Sequence, residues 1–204
     1  MPRLSKDSEL PEAIKNIRLC SALQECGSQS VDKVFDKSDA AHIFVYDDND
    51  LGRTDWTDDK PQFEEKCFEA VNPSRSVIAL LPLDGCIITG KNIIIGGVCD
   101  GMLLTEKEMC FLEFKTNVAS PNYLTIVQRA NDAIAQLWHT YDGIVRPRCA
   151  KFKDIGNALS IEFYVVFDKT LEVTGVNSEL MDLQSQFLED NNFLLYFDNK
   201  KIFE

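Results

Sequence analysis

The sequence lacks the cysteine pattern of a disulfide-stabilised or zinc-binding protein. Its seven cysteines include no Cys-x-x-Cys pair, and an odd number of thiols cannot all be paired with one another. Most of them lie in apolar segments, which is typical of reduced, buried thiols. The cysteines therefore argue against a disulfide framework or a structural zinc site, and they favour a reducing compartment, which we expect to be the cytoplasm.

Long apolar runs are also missing, and histidine is scarce. No run approaches the length of a membrane span, and the first twelve residues are mostly polar, so we expect neither a membrane segment nor a signal peptide. The two histidines, His42 and His139, are far apart in the sequence, and no serine or cysteine elbow accompanies them. A hydrolase triad therefore has little support.

Basic residues are few in comparison with acidic ones. The chain contains 21 Lys and Arg residues and 33 Asp and Glu residues, which gives a formal net charge of -12. Such acidity slows encounter with nucleic acid and lowers non-specific affinity for it. The densest basic stretch predicts a local phosphate-binding surface made of Arg146, Arg148, Lys151 and Lys153. A solvated loop that balances nearby acids is the alternative interpretation.

Against this background, one short acidic pattern is the most informative feature of the chain. Residues 93–99 predict a β-strand that leads directly into Asp100, and residues 109–115 predict a second strand after a polar turn. Glu113 and Lys115 lie two residues apart, so they share one face of the second strand. Asp100 is then expected beside them on the neighbouring strand.

The residue types in this pattern point to metal-dependent chemistry. Two converging carboxylates supply the hard oxygen ligands that Mg²⁺ or Mn²⁺ prefers. A lysine beside them can stabilise negative charge or help to deprotonate a water molecule. An ordinary hairpin with solvated acids is the alternative, but a charge on an otherwise apolar strand usually has a partner or a role.

Asp100, a gap of twelve residues, and the run Glu113-Phe114-Lys115 resemble the motif of the PD-(D/E)xK nuclease superfamily. Cys99 stands where that motif usually has proline, which is a mild departure. The resemblance implies an α/β protein with a restriction-endonuclease-like core across residues 61–167, made of a helix, three antiparallel strands, a helix and a further strand.

The same resemblance implies roles for the individual residues. Asp100, Glu113 and the carbonyl of Phe114 would bind Mg²⁺ or Mn²⁺. Lys115 would orient or activate the attacking water and offset charge that develops on the phosphate.

The helix that this fold requires before its first strand is expected at residues 61–71. Pro61 suits the first turn, and apolar residues recur at helical spacing after it. Members of the superfamily often carry a further acidic ligand on this helix, and Glu64 is the first choice because it lies on the apolar face. Glu65 or Glu69 could complete the site instead, and Glu64 could equally be a rim residue that extends to water.

A second helix is predicted across residues 123–141, after the Glu-x-Lys strand. Gln128, Asp132 and Gln136 are spaced four apart on one face of it. Gln128 lies in the first turns, nearest the expected position of Lys115, so it is the candidate for a contact to the substrate or to the site. An exposed helix glutamine is the commoner explanation.

The rest of the chain is predicted to extend this core within a single domain of residues 1–204. Further elements are predicted as a helix at 8–26, strands at 41–46, 159–167 and 193–197, and a helix at 178–188. Residues 1–60 would form an N-terminal extension with an acidic linker over 46–60, away from the site. Residues 168–204 would add a C-terminal helix and strand.

Together these observations predict a metal-dependent nuclease that cleaves DNA more readily than RNA, in restriction, repair or defence against foreign DNA. The acidic surface suggests a protein partner or a homo-oligomer. Two other interpretations stay open, namely a non-catalytic subunit with the same fold and an acidic interaction or inhibitor protein whose carboxylates replace phosphates.

Overall fold

The computed structural model describes residues 10–118, 122–171 and 177–204 of the chain. These residues form two mixed β-sheets and several helices, which confirms the predicted α/β class. None of the described helices has an apolar stretch long enough to cross a membrane.

The described strands and helices follow each other along the chain with these bounds. The strands are β1 (Asp36–Ser38), β2 (His42–Asp48), β3 (Arg53–Thr57), β4 (Phe68–Val71), β5 (Ile78–Pro82), β6 (Gly101–Leu104), β7 (Glu108–Lys115), β8 (Ser160–Phe167), β9 (Leu194–Tyr196) and β10 (Lys200–Ile202). The helices are α1 (Glu12–Asn16), α2 (Leu19–Ala22), α3 (Val31–Val34), α4 (Tyr123–Trp138), α5 (Arg146–Cys149), α6 (Ile155–Ala158) and α7 (Asn177–Asn191). A 3₁₀ turn spans Glu64–Lys66, and a π-helical segment spans His139–Val145.

The larger sheet has the strand order β1-β5-β6-β7-β8-β9. Strands β5, β6 and β7 are antiparallel neighbours, whereas β8 lies parallel to β7. A parallel pair needs a crossover connection, and α4 belongs to the connection that leads from β7 to β8. The smaller sheet has the order β10-β4-β2-β3.

The two faces of the larger sheet are buried in different ways. One face packs against the helices, and its core includes Met109 and Phe111. The other face packs against the smaller sheet, and its core includes Leu112 and Phe114. Because side chains alternate along a strand, Glu113 lies on the helix-covered face of β7. Strand β7 is therefore buried on both sides, and the charged end of the strand is held inside the protein.

The predicted helix at residues 61–71 is wrong. The structure has the 3₁₀ turn there, followed by strand β4, which pairs with β2 and β10. Phe68 and Ala70 are fully buried while the residues between and after them are half-buried, which is the two-residue period of a strand. Phe63, at the start of the supposed helical stripe, is 42% exposed.

The predicted strand at residues 93–99 is also wrong, because residues 93–96 form turns, residues 97–99 belong to no helix or strand, and β6 begins only at Gly101. Gly96 and Gly97 both have positive φ values, 109° and 85°, and a regular strand cannot continue through them. The hairpin of β6 and β7 nevertheless forms, and it starts one residue after Asp100.

Elsewhere the predicted elements correspond to the structure, with changes at the N-terminus. Strands β2, β8 and β9 and helices α4 and α7 match the predictions. The predicted helix at 8–26 is two short helices, because Arg18 is left-handed with a φ of 52°. Residues 8 and 9 of that prediction lie outside the described residues. The predicted acidic linker at 46–60 contains a hairpin of β2 and β3.

Candidate active site

The turn before β6 places Asp100 beside Glu113. The hairpin pairs Gly101 with Leu112. Asp100, which precedes Gly101, therefore comes opposite Glu113, which follows Leu112. The backbone N–H of Asp100 donates to Oε2 of Glu113 at 3.2 Å, and the N–H of Phe114 donates to Oδ2 of Asp100 at 2.6 Å. Each carboxylate is thus held by the backbone of the other strand, and the two acids converge as the pattern predicted.

Lys115 joins this pair from the same face of β7. Its Nζ lies 2.5 Å from Oε1 of Glu113 and 2.8 Å from Oε1 of Gln136. The Lys115 side chain is 15% exposed and the Glu113 side chain 2% exposed, so the contact between them is largely shielded from water. The structure therefore brings Asp100, Glu113 and Lys115 into one buried cluster.

Gln136 also belongs to this cluster, although its place in the sequence does not single it out. The expected contact was Gln128, but Gln128 is exposed, and the glutamine that reaches Lys115 is two turns further along α4. The signal was present, because Gln136 belongs to the same four-residue spacing as Gln128 and Asp132. Which member of that stripe meets β7 depends on how the helix crosses the sheet.

Burial controls the protonation of the two acids. Burial raises the pKa of Glu113 to about 8, and the charge of Asp100 adds to this effect. Lys115 lowers the pKa of Glu113, but the loss of water outweighs it. Burial likewise raises the pKa of Asp100 to about 7, with smaller contributions from Asp47 and Asp84. At neutral pH, the pair therefore retains protons that ordinary carboxyl groups would have lost.

Asp47 and Asp84 are two further acids near the cluster. Asp47 lies at the end of β2, and Asp84 follows β5. Both interact electrostatically with Asp100 and with Lys115, and burial raises the pKa of each. The prediction that the acidic residues at 46–60 lie away from the site is therefore wrong for Asp47, because the smaller sheet brings the end of β2 to the site.

The other predicted site residues lie elsewhere. Glu64 sits in the 3₁₀ turn and pairs with Lys60 at 2.7 Å, with its side chain 43% exposed. It shows no described bond to Asp100 or Glu113. The alternatives also differ from the prediction: Glu65 lies in the same 3₁₀ turn, and Glu69 bonds to His42 at 2.8 Å.

The predicted basic surface lies at the end of the π-helical segment and beyond it. Arg146 pairs with Asp142 at 2.9 Å, and Arg148 donates to the carbonyl of Ile144 at 3.1 Å. Lys151 and Lys153 are exposed. The structure adds one cation to this surface, because the guanidinium of Arg18 lies 5.7 Å from the ring centre of Phe152, which is 43% exposed.

The donor chemistry of the cluster suits a hard divalent cation, although its ligands are not gathered around one point. Across residues 10–118, 122–171 and 177–204, no three or more His, Cys, Asp or Glu side chains are close enough to hold a metal ion. Both oxygens of Glu113 accept hydrogen bonds, one of them from Lys115. A cation at this pair would therefore have to compete with the ammonium group for Glu113, while Gln136 offers Lys115 a second acceptor.

Comparison with known proteins adds no constraint. No protein-family model, no curated protein and no solved structure matches the chain.

Proposed function

We propose that this protein is a Mg²⁺- or Mn²⁺-dependent nuclease that cleaves DNA. The observation that carries the proposal is the Asp100 and Glu113 pair, whose buried carboxyl groups have pKa values raised to about 7 and about 8 beside a lysine. Burying two acids next to each other costs free energy that an ordinary structural role does not require. A divalent cation would offset that cost.

The order of the elements around the pair supports a restriction-endonuclease-like core. Along the chain, the antiparallel strands β5, β6 and β7 of the larger sheet are followed by helix α4 and then by β8, which lies parallel to β7. This is the order that the PD-(D/E)xK resemblance implies for the part that begins at the first strand. The helix expected before that strand is absent from residues 61–71, and α1 to α3 occupy the helix-covered face instead.

Asp100, Glu113 and the carbonyl of Phe114 would hold the cation. When bound, Mg²⁺ or Mn²⁺ supplies a Lewis acid that polarises a phosphate oxygen and acidifies a coordinated water. Asp47 and Asp84 add negative potential at this end of the sheet, which favours a cation there.

Lys115 would act on the reacting phosphate. Its ammonium group is held by Glu113 and Gln136, so it is oriented before any substrate arrives. A cation fixed in a shielded position stabilises the negative charge that develops on phosphate more effectively than one in water. Gln136 would keep Lys115 in place if Glu113 bound a metal ion.

The basic surface of Arg146, Arg148, Lys151 and Lys153 would contact the DNA backbone, together with Arg18. Positive charges at phosphates raise affinity, and that contribution weakens with salt. Because the whole chain carries a net charge of -12, this surface has to act against a repulsive background. A protein partner or a second copy of the chain that adds positive charge would remove that difficulty.

The test is cleavage of linear and circular DNA by the purified protein with Mg²⁺, Mn²⁺ or EDTA. Asp100→Asn and Lys115→Met serve as site variants, and Glu106→Gln, which changes an exposed acid at the far end of the β6–β7 hairpin, serves as the control. The proposal predicts metal-dependent cutting by the wild type and the control that both site variants abolish. Absence of cutting by every form favours the non-catalytic subunit or the acidic interaction protein.

A further inference from the structure

The first residues of the π-helical segment make direct contact with the segment that carries Asp100. Thr140 is fully buried, and its hydroxyl accepts a hydrogen bond from the backbone N–H of Cys99 at 2.8 Å. The same hydroxyl donates to the carbonyl of Gln136 at 2.7 Å. One side chain therefore links the residue before Asp100 to the residue that holds Lys115.

The backbone just before Asp100 is held at Cys99 by this bond, while the Asp100 carbonyl accepts from the backbone N–H of Leu83 at 2.9 Å. Strand β6 begins after Asp100, so Cys99 is outside the sheet ladder, and residues 97–99 belong to no helix or strand. Cys99 is fully buried, and a buried N–H without an acceptor is costly. The Thr140 hydroxyl satisfies this N–H and thereby helps to position the backbone of Asp100, in addition to the bonds that Asp100 makes with Leu83, Glu113 and Phe114.

Two glycines bring that segment close to the helix. A Cβ on Gly97 would lie 2.6 Å from Cγ of Gln136, and a Cβ on Gly96 would lie 2.8 Å from Cδ2 of His139. Both glycines have positive φ values, which most other residues avoid. The close approach therefore requires glycine, and it places the chain directly against the helix turn that presents Gln136.

We propose that Thr140 is a positioning residue that holds Asp100 and Gln136 at a fixed separation across the candidate site. The inference deepens the proposed nuclease function and rests on it. Asp100 would bind metal and Gln136 orients Lys115, so the hydroxyl that bonds to both supports would help to set the distance between the Asp100 carboxylate and the Lys115 ammonium group. Small errors in such distances lower the rate of the chemical step more than they weaken substrate binding.

Another buried threonine provides a matched control. Thr105 is 5% exposed, and its hydroxyl accepts from the backbone N–H groups of Lys107 and Glu108 in the turn of the β6–β7 hairpin. Like Thr140, it accepts a hydrogen bond from a backbone N–H through its hydroxyl, but it lies at the turn of the β6–β7 hairpin, remote from Asp100. Replacing it removes buried hydrogen bonds without changing the site.

The experiment compares Mn²⁺-dependent DNA cleavage by the wild type, Thr140→Val, Thr140→Ser and Thr105→Val at a temperature where all four are folded. Thr140→Val keeps the shape of the side chain and removes the hydroxyl. We expect its kcat to fall about tenfold, with KM for DNA within about twofold of the wild type, and we expect Thr140→Ser to restore kcat. Thr105→Val should lower the unfolding midpoint and leave kcat unchanged.

Gly97→Ala is the second variant. It changes the spacing between Gln136 and the segment before Asp100, and it leaves the Thr140 side chain intact. Its methyl group meets Gln136, so kcat should again fall while KM for DNA changes little. A Thr140→Val protein with the kcat of the wild type would overturn the inference, and so would a fall that Thr105→Val matches. An inactive wild type would overturn the proposed nuclease function and the inference together, whereas an active wild type with unaffected variants overturns the inference alone.

Discussion

The backbone N–H of Phe114 donates to Oδ2 of Asp100 across the β6–β7 hairpin at 2.6 Å. This bond holds a carboxylate whose pKa burial has raised to about 7. A hydrogen bond from the backbone favours the ionised carboxylate, but the removal of water opposes it more strongly. The residue is therefore oriented by the strand while being kept close to protonation at neutral pH, which suits exchange of a proton for a metal ion.

The first prediction concerns stability and pH. Because the folded-state pKa of Asp100 is raised from 3.8, its contribution to stability is fully present below about pH 4 and is lost as the pH rises through about 7. Asp100→Asn removes the ionisation and leaves an oxygen for the Phe114 N–H. We expect the variant to be more stable than the metal-free wild type by about 2–4 kcal/mol near pH 8.

Urea denaturation of both proteins between about pH 4 and pH 8 in EDTA measures that difference. Groups remote from Asp100 contribute equally to both proteins, whereas Glu113, whose pKa the Asp100 charge raises, adds to the difference in the same direction. The two stabilities should converge near pH 4. A difference that is constant with pH would show that Asp100 does not hold a proton in the folded protein.

The second prediction concerns Gln136. Without the amide oxygen of Gln136, Glu113 is the remaining described hydrogen-bond acceptor of the largely shielded Lys115 ammonium, so Gln136→Leu should make Glu113 less available to a cation. We expect the Mn²⁺ concentration for half-maximal cleavage to rise about tenfold. Gln128→Leu, an exposed position on the same helical stripe, is the control and should leave the metal requirement as it is. If the wild type, Gln136→Leu and Gln128→Leu all needed the same Mn²⁺ concentration for half-maximal cleavage, Gln136 would have no role in metal binding.

The third prediction concerns the basic surface. Lys151→Ala and Lys153→Ala should weaken DNA binding to a similar degree on different sequences, and each should reduce the slope of log K against log salt by about 1. Filter binding or fluorescence anisotropy in EDTA separates this effect from cleavage. Lys107→Ala, at an exposed turn of the β6–β7 hairpin, should not change the slope. If Lys107→Ala changed the slope as much as Lys151→Ala does, any lysine of the chain would contribute to DNA binding, and the basic surface would not be a defined DNA-binding site.

The sequence was most informative where structure is local. The β6–β7 hairpin and the shared face of Glu113 and Lys115 follow from a turn and a two-residue period, and these could be read without the rest of the chain. The stripe of Gln128, Asp132 and Gln136 on α4 likewise follows from their four-residue spacing. The sequence does not show how α4 lies across β7, and this placement brings Gln136, and not the exposed Gln128, to Lys115.

Non-local pairing explains the errors. The apolar residues of 63–71 fit a helical period and also the alternation of a strand, and the deciding partners of β4, namely β2 and β10, are distant in sequence. Asp47 reaches the site for the same reason, because its place depends on the smaller sheet packing against the larger one. Gly96 and Gly97 interrupt the expected strand before Asp100 through their positive φ values, although the apolar run around them favours a strand.

Calorimetric titration with Mn²⁺ is the most direct test of a divalent-cation site at Asp100 and Glu113. Because both acids retain protons near neutral pH, a bound cation has to displace them, so affinity should increase as the pH rises from about 6 to about 8. Titrations in two buffers of different ionisation enthalpy should detect that proton release. Glu113→Gln should lose most of the affinity, whereas Glu106→Gln should bind as the wild type does. An equal Mn²⁺ affinity of the wild type and Glu113→Gln would contradict a metal site at this pair. A wild-type affinity that does not change with pH would contradict it as well.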